Sequence, residues 1–139
     1  MFRNLLLIMM ALAIFCKEKS HSNEDIGNKE LMIIINSLLD GMNEYMQSGN
    51  ASYTIKDVEE TKRILIVHYN QVKFAKSRKE ANIITRNTVE ELNRLNERTE
   101  YSLIETSQRE LICEFIIKSG VFFGFNKPNE DITEEWRKW

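Results

Sequence analysis

Few side chains in this sequence are suited to catalysis or metal binding, and their spacing matches no familiar site. The histidines are His21 and His68, and the cysteines are Cys16 and Cys113. A helical di-metal site needs Glu-x-x-His pairs on facing helices, but the residue three positions before His68 is Leu65. The chain also lacks His-Glu-x-x-His, paired Cys-x-x-Cys and glycine-rich phosphate-loop motifs. We therefore predict no metal, no cofactor and no catalytic residue.

Carboxylates are the remaining candidates for acid–base chemistry. They occur as the adjacent pairs Glu59-Glu60, Glu90-Glu91 and Glu134-Glu135. Neighbouring residues on a helix point about 100° apart, so such a pair does not share one site. We interpret these pairs as solvated surface, and an enzyme that uses carboxylates and tyrosines is the least favoured hypothesis. His68 and Cys113 lie in apolar runs. We predict that His68 is a packed or partly exposed structural histidine and that Cys113 is a small core residue.

The aromatic residues near the C-terminus are the best candidates for a binding surface. They form a cluster of Phe122, Phe123, Phe125, Trp136 and Trp139. One interpretation is that these rings close the open end of a helical bundle, since each buries about 150–250 Å². The other is an exposed patch for a partner protein, a peptidoglycan-associated ligand or a membrane surface. We expect Trp136 to be the more buried and Trp139 the more exposed of the two tryptophans.

Residues 1–16 have the layout of an export signal. Arg3 is followed by an apolar run from Leu5 to Phe15, then Cys16, and then by the charged segment Lys17-Glu18-Lys19. This run is shorter than the ~20 apolar residues of a membrane span. A short apolar core with a positive charge before it is typical of a signal peptide. The sequence therefore predicts export from the cytoplasm.

The segment Leu12-Ala13-Ile14-Phe15-Cys16 resembles the signal of bacterial lipoproteins. In that class the chain is cleaved before the cysteine, which is acylated and becomes the first mature residue. The class places Gly, Ala or Ser directly before the cysteine, and this chain departs from it with Phe15. The resemblance implies lipid attachment at Cys16 and a membrane anchor in the periplasm or at the cell surface. The alternatives are a soluble periplasmic or secreted protein, cleaved after Ala13 or after Cys16, and an uncleaved short anchor.

Length and charge constrain the part of the chain beyond the signal. About 120 residues remain, which suffices for one domain with one core. The 21 acidic and 19 basic residues nearly cancel, so no basic face for nucleic acid is expected. We predict a flexible tether over residues 17–26 and a single helical domain over residues 27–139.

Helical periodicity defines most of this domain. Helix one is predicted to begin near Gly27 or Asn28 and to end at Gly49, because its apolar residues recur at three- and four-residue spacing. Its expected inner face comprises Leu31, Ile34, Ile35, Leu38, Leu39, Met42, Tyr45 and Met46. Helix two is predicted over about residues 55–75, opened by Thr54 and Asp57. Its expected inner face comprises Ile55, Val58, Leu65, Tyr69 and Val72.

The second half of the chain carries two sequences typical of capping boxes. Ser77 with Glu80 is predicted to open helix three, whose inner face holds Ile84, Thr88, Leu92 and Leu95. Ser107 with Glu110 is predicted to open helix four, which runs through Ile112, Phe115 and Ile116 to Ser119 and ends at Gly120. Thr133 is expected to cap one last turn over residues 134–139.

The predicted fold is all-α, an antiparallel four-helix bundle with a short C-terminal helical clasp. The alternative is an α+β fold with a small sheet around residues 63–69, because residues 64–69 are rich in β-branched side chains. The leading functional hypothesis is a small exported bacterial envelope lipoprotein that acts as a non-catalytic binding module, with an immunity or inhibitor role as a more specific form. Its partner is an unidentified envelope protein or ligand. The alternative is a carrier of a small apolar ligand within the bundle.

Overall fold

The computed structural model describes residues 26–139, which form four helices: α1 (Lys29–Gln47), α2 (Ile55–Phe74), α3 (Arg78–Arg98) and α4 (Thr106–Phe122). The predicted export signal, Cys16, His21 and the predicted tether up to residue 25 lie outside the described residues. The all-α prediction is confirmed. The alternative sheet around residues 63–69 is wrong, because that segment lies inside α2 and residues 26–139 contain no strand.

Helix α1 follows the sequence prediction closely. The side chain of Asn28 accepts hydrogen bonds from the backbone amides of Glu30 (2.9 Å) and Leu31 (3.1 Å), so it caps the helix. Beyond the other end, Gly49 has a φ of 81°, a left-handed conformation that glycine adopts without steric cost. The buried residues of α1 are Leu31, Ile34, Ile35, Leu38 and Met42. They all belong to the predicted inner face.

Helices α2 and α3 also begin where the sequence predicts. The carboxylate of Asp57 accepts from the backbone amide of Thr54 at 2.9 Å, and the hydroxyl of Ser77 accepts from the amide of Glu80 at 3.1 Å. Ile55 is a correction to the predicted inner face of α2. It is the first residue of α2 and is 50% exposed.

Helix α4 differs from its prediction at both ends. It begins at Thr106 with Glu105 as its N-cap residue, so Ser107 lies within the first turn and does not cap the helix. Gly120 does not end the helix, which continues to Phe122. The chain reverses at Gly124, with a φ of 82°, and the amide of Phe125 donates to the carbonyl of Gly120 at 2.8 Å. These two features identify a Schellman motif, which needs its glycine at position 124.

The helices pack as an antiparallel bundle in which α1 contacts α4 and α2 contacts α3 most extensively. Along α2 and α3, Asp57 faces Arg98 at 3.9 Å, Arg63 pairs with Glu91, and His68 contacts Thr88 at 3.0 Å. Residue numbers rise in one helix as they fall in the other, which defines the antiparallel direction. Glu30, at the start of α1, pairs with Lys118 near the end of α4.

Side chains from all four helices form one core. The largest fully buried ones include Phe115, Leu31, Leu65 and Leu92, each at most 1% exposed. Ile26 is 3% exposed and also belongs to this core, so the packed domain includes the last residue of the predicted tether. The core holds the helices together without a disulfide among residues 26–139.

The segment after α4 bridges α3 and α4, which have little direct contact with each other. The side chain of Asn93 on α3 donates to the carbonyl of Trp136 at 2.8 Å and accepts from the amide of Lys138 at 3.1 Å. On the α4 side, Thr133 is fully buried and its hydroxyl lies 3.4 Å from the sulfur of Cys113. We call residues 126–139 the clasp.

The clasp contains a single helical turn. The amide of Arg137 donates to the carbonyl of Thr133 at 3.2 Å, which begins the turn at the predicted residue. The polar cap, however, comes from Asp131, whose carboxylate accepts from the Thr133 amide at 3.0 Å and from the Thr133 hydroxyl at 2.6 Å. The turn ends at Trp136, and Trp139 lies beyond it.

Candidate functional site

The five C-terminal aromatic residues lie in two places. Phe123 packs against the core and against the rings of Tyr69 (5.2 Å between centroids) and Phe122 (4.9 Å). Phe122 itself is 50% exposed. Trp136 and Trp139 are partly buried against the core from the clasp, and Phe125, in the connection between α4 and the clasp, is also partly buried. The structure therefore does not bring these rings into one exposed patch.

A groove with a largely apolar lining lies beside the clasp. It has a volume of about 630 Å³ and lies between the start of α1, the outer face of α4 and the clasp. Its apolar lining residues are Leu31, Cys113, Ile117, Val121, Phe122 and Pro128. Phe122 is the predicted binding residue that lines it. We call this concavity the clasp groove.

Charged side chains of both signs surround the clasp groove. The acidic ones are Glu30, Glu110, Glu114 and Asp131, and the basic ones are Arg109, Lys118 and Arg137. The ammonium group of Lys118 pairs with Glu30 and lies 2.8 Å from Glu114, and these two hydrogen-bonded carboxylates raise the pKa of Lys118. An apolar floor with a mixed charged rim suits an amphipathic ligand.

Two titratable groups on the clasp side of the groove have shifted pKa values. Burial raises the pKa of the Cys113 thiol, and the hydrogen bond with Thr133 opposes this only in part, so the thiol is the favoured form. Burial also acts to raise the pKa of Asp131. The hydrogen bonds from Thr133 and the charge of Arg137, whose guanidinium lies 2.7 Å away, outweigh burial and hold the pKa of Asp131 below its ordinary value. Asp131 therefore stays ionised and keeps the clasp turn capped.

Cys113 is a correction to the sequence interpretation. The sequence predicts a small core residue, but Cys113 is only partly buried and lines the clasp groove. The reason is its position on α4, where it faces the clasp and not the other three helices. The sulfur is in contact with Thr133, a residue 20 positions away in the sequence.

His68 is packed inside the bundle, away from the groove, as predicted for a structural histidine. It is 1% exposed, and its Nδ1 lies 3.0 Å from the hydroxyl oxygen of Thr88. That hydroxyl also lies 2.9 Å from the carbonyl oxygen of Ile84, so it links the His68 ring to the backbone of α3. Burial lowers the pKa of His68 to about 4, with a smaller opposing contribution from the backbone of Ile116.

No metal centre or membrane-spanning helix accompanies the clasp groove in the described part of the chain. Within residues 26–139, no cluster of three or more His, Cys, Asp or Glu side chains is arranged to hold a metal ion. None of the four described helices combines the length and the apolar character needed to cross a bilayer. Comparison with protein-family models, characterised proteins and solved structures found no significant match to this chain.

Proposed function

We propose that this chain is a small exported envelope protein, anchored through lipid on Cys16, whose helical domain is a non-catalytic binding module. The clasp groove is the observation that supports binding, because it is an apolar concavity of about 630 Å³ with charges on its rim. The export signal and the lipoprotein-like cysteine support the location. An immunity or inhibitor role for a neighbouring envelope protein is a specific form of this proposal.

The shape of the clasp groove favours a helical segment of a protein partner. The groove follows the outer face of α4, where Cys113, Ile117 and Val121 recur at four-residue spacing. An amphipathic helix that lies in such a groove buries side chains at three- and four-residue spacing and leaves its polar face at the rim. The rim charges of both signs fit such a segment and select its orientation.

Crosslinking in intact cells tests this proposal. A photoreactive amino acid at Ile117 is expected to capture one specific protein, because Ile117 lies on the apolar floor of the groove. The same amino acid at Ile55, which is 50% exposed at the far end of the bundle, is the matched control and is expected to capture no such species. The captured products are identified by mass spectrometry.

A charge on the groove floor provides the second arm of the test. Val121→Arg is expected to weaken capture from position 117 by at least about tenfold. An arginine there would face an apolar partner surface, and burying its charge against that surface costs desolvation free energy. Two results would contradict a specific partner in the groove. One is that positions 55 and 117 capture the same proteins. The other is that Val121→Arg leaves the capture from position 117 unchanged.

A carrier of a small apolar ligand is the second candidate function. The volume of the clasp groove lies within the range of about 300–1,000 Å³ that is typical of small-molecule sites. A carrier would retain ligand when purified gently, so native mass spectrometry would show a bound mass that Val121→Arg removes. If the ligand is instead a protein partner, native mass spectrometry of the purified chain shows no bound small molecule, and crosslinking from Ile117 captures a protein.

A further inference from the structure

The bundle has one strongly basic end. Four helix termini meet there, namely the start of α1, the end of α2, the start of α3 and the end of α4. The ion pair between Glu30 and Lys118 joins α1 to α4, and the ring contact between Tyr69 and Phe123 joins α2 to the end of α4. The ion pair between Arg78 and Glu130, at 3.0 Å, joins the start of α3 to the clasp. We call residues 26–33, 69–84 and 117–130 the basic end. Its seven basic residues are Lys29, Lys73, Lys76, Arg78, Lys79, Lys118 and Lys127, against the three acidic residues Glu30, Glu80 and Glu130.

Most of the acidic side chains at the basic end are already engaged. Glu130 pairs with Arg78, Glu30 pairs with Lys118, and the carboxylate of Glu80 accepts from the backbone amide of Lys76 at 2.8 Å. Within residues 26–139, no salt bridge is formed by Lys29, Lys73, Lys76, Lys79 or Lys127, and all five are exposed. The corner between α2 and α3 therefore presents uncompensated positive charge.

Exposed apolar side chains accompany these lysines. Phe74 is 72% exposed at the end of α2, with Lys73 over its ring at 5.5 Å, and Ile83 is 52% exposed on the second turn of α3. Ile33 and Phe122, at the same end, are 57% and 50% exposed. Basic residues interleaved with exposed apolar ones are typical of surfaces that bind the interface of an anionic bilayer.

The opposite end of the bundle has the opposite charge. Residues 40–60 and 92–107 carry the acidic side chains Asp40, Glu44, Asp57, Glu59, Glu60, Glu97, Glu100 and Glu105, against the basic side chains Lys56, Arg94 and Arg98. The bundle is thus charged asymmetrically along its axis, although the whole chain has a formal net charge of −2. An anionic surface would attract the basic end and repel the other, which orients the domain.

The start of the described chain lies at the basic end. Ile26 is buried there, and Gly27 lies against Tyr69. Nine residues separate Cys16 from Ile26, and the ten residue steps between these two positions span at most about 35 Å. A lipid on Cys16 would therefore hold the basic end within about 35 Å of the bilayer. We infer that the basic end is a membrane-docking surface for anionic phospholipid, centred on Lys73, Phe74, Lys76 and Lys79, and this inference rests on the proposed anchor for its proximity to the bilayer.

Hydrogen exchange on vesicles tests the docking surface. The full chain is reconstituted into phosphatidylcholine vesicles with or without 30% phosphatidylglycerol, and amide exchange is followed by mass spectrometry. Exchange over residues 74–80 is expected to slow on the anionic vesicles, because each engaged basic side chain strengthens binding to anionic lipid by about fivefold. The effect should largely disappear in 0.5 M NaCl, and exchange over residues 99–105 at the acidic end should stay unchanged.

Matched charge reversals at the two ends provide the controls. The triple variant Lys73→Glu/Lys76→Glu/Lys79→Glu is expected to lose the slowed exchange. The triple variant Lys56→Glu/Arg94→Glu/Arg98→Glu makes the same charge change at the acidic end. It is expected to keep the slowed exchange on anionic vesicles. Equal exchange on both kinds of vesicle, or equal effects of the two triple variants, would overturn the docking surface. If soluble polyglutamate slows amide exchange over residues 74–80 as much as the anionic vesicles do, the assignment to lipid is overturned.

The anchor and the docking surface can fail separately. Fatty-acid labelling of the same preparation reports on Cys16 alone. An unlabelled chain whose exchange over residues 74–80 still slows on anionic vesicles supports the docking surface and contradicts the anchor. A labelled chain with equal exchange on both kinds of vesicle supports the anchor and overturns the docking surface.

Discussion

Replacing Trp136 by alanine is expected to lower the free energy of unfolding by about 3 kcal/mol. The indole packs against the core from the clasp, and the clasp fills the space between α3 and α4. Removing a large buried aromatic side chain typically costs about 3–5 kcal/mol, and partial exposure of Trp136 places it at the lower end. Urea denaturation followed by circular dichroism measures the change without depending on tryptophan fluorescence.

Phe74→Ala is the matched control for Trp136→Ala. It removes an aromatic ring of similar kind that is 72% exposed and lies outside the clasp. We expect this control to cost less than about 1 kcal/mol, because little buried surface is lost. Equal effects of the two substitutions, or an unchanged midpoint for Trp136→Ala, would show that the clasp does not stabilise the bundle.

Acidification is expected to destabilise the domain through His68. The pKa of this buried imidazole is about 4 in the folded protein, whereas an exposed histidine has a pKa near 6.5. Between these two values the unfolded chain binds a proton that the folded chain does not. The free energy of unfolding therefore falls as the pH falls through this window, by about 3 kcal/mol between pH 7 and pH 4.

His68→Asn isolates this contribution. Asparagine can still form a hydrogen bond with the Thr88 hydroxyl but does not titrate. The variant is expected to be less stable at pH 7, since it leaves a cavity, but to lose about 3 kcal/mol less than the wild type between pH 7 and pH 4. The carboxylates and His21 are common to both proteins, so their effects cancel in the comparison. Parallel pH profiles for the two proteins would contradict a neutral buried His68.

The helices could be predicted because their signals are local. In α1 the inner face, the cap at Asn28 and the terminating Gly49 all appear within one stretch of sequence. The predicted end of α4 is wrong because both Gly120 and Gly124 satisfy the same sequence rule. The structure separates them through the clasp. A Cβ at position 120 would lie 1.8 Å from the side-chain oxygen of Asn126, so glycine at this position allows the close approach of Asn126 and does not end the helix.

The clasp groove could not be predicted because its walls are distant in the sequence. Leu31, Val121 and Arg137 line it together, although each looks ordinary in its own segment. The buried Asn96 on α3 escapes prediction for a similar reason. Asn96 is 2% exposed because its side chain accepts from the amide of Ile104 at 2.9 Å in the loop that leads to α4, a partner that helical periodicity does not reveal.

Metabolic labelling with an alkyne-tagged fatty acid tests the central claim, that this chain is an exported lipoprotein, most directly. The full chain, Cys16→Ala and the control Cys113→Ala are produced in a bacterial host, and the mature N-terminus of each is determined by mass spectrometry. We expect label on the wild type and on Cys113→Ala, no label on Cys16→Ala, and a mature chain that begins at Cys16. Absence of label from all three proteins, with a mature N-terminus after Ala13 or after Cys16, would contradict it.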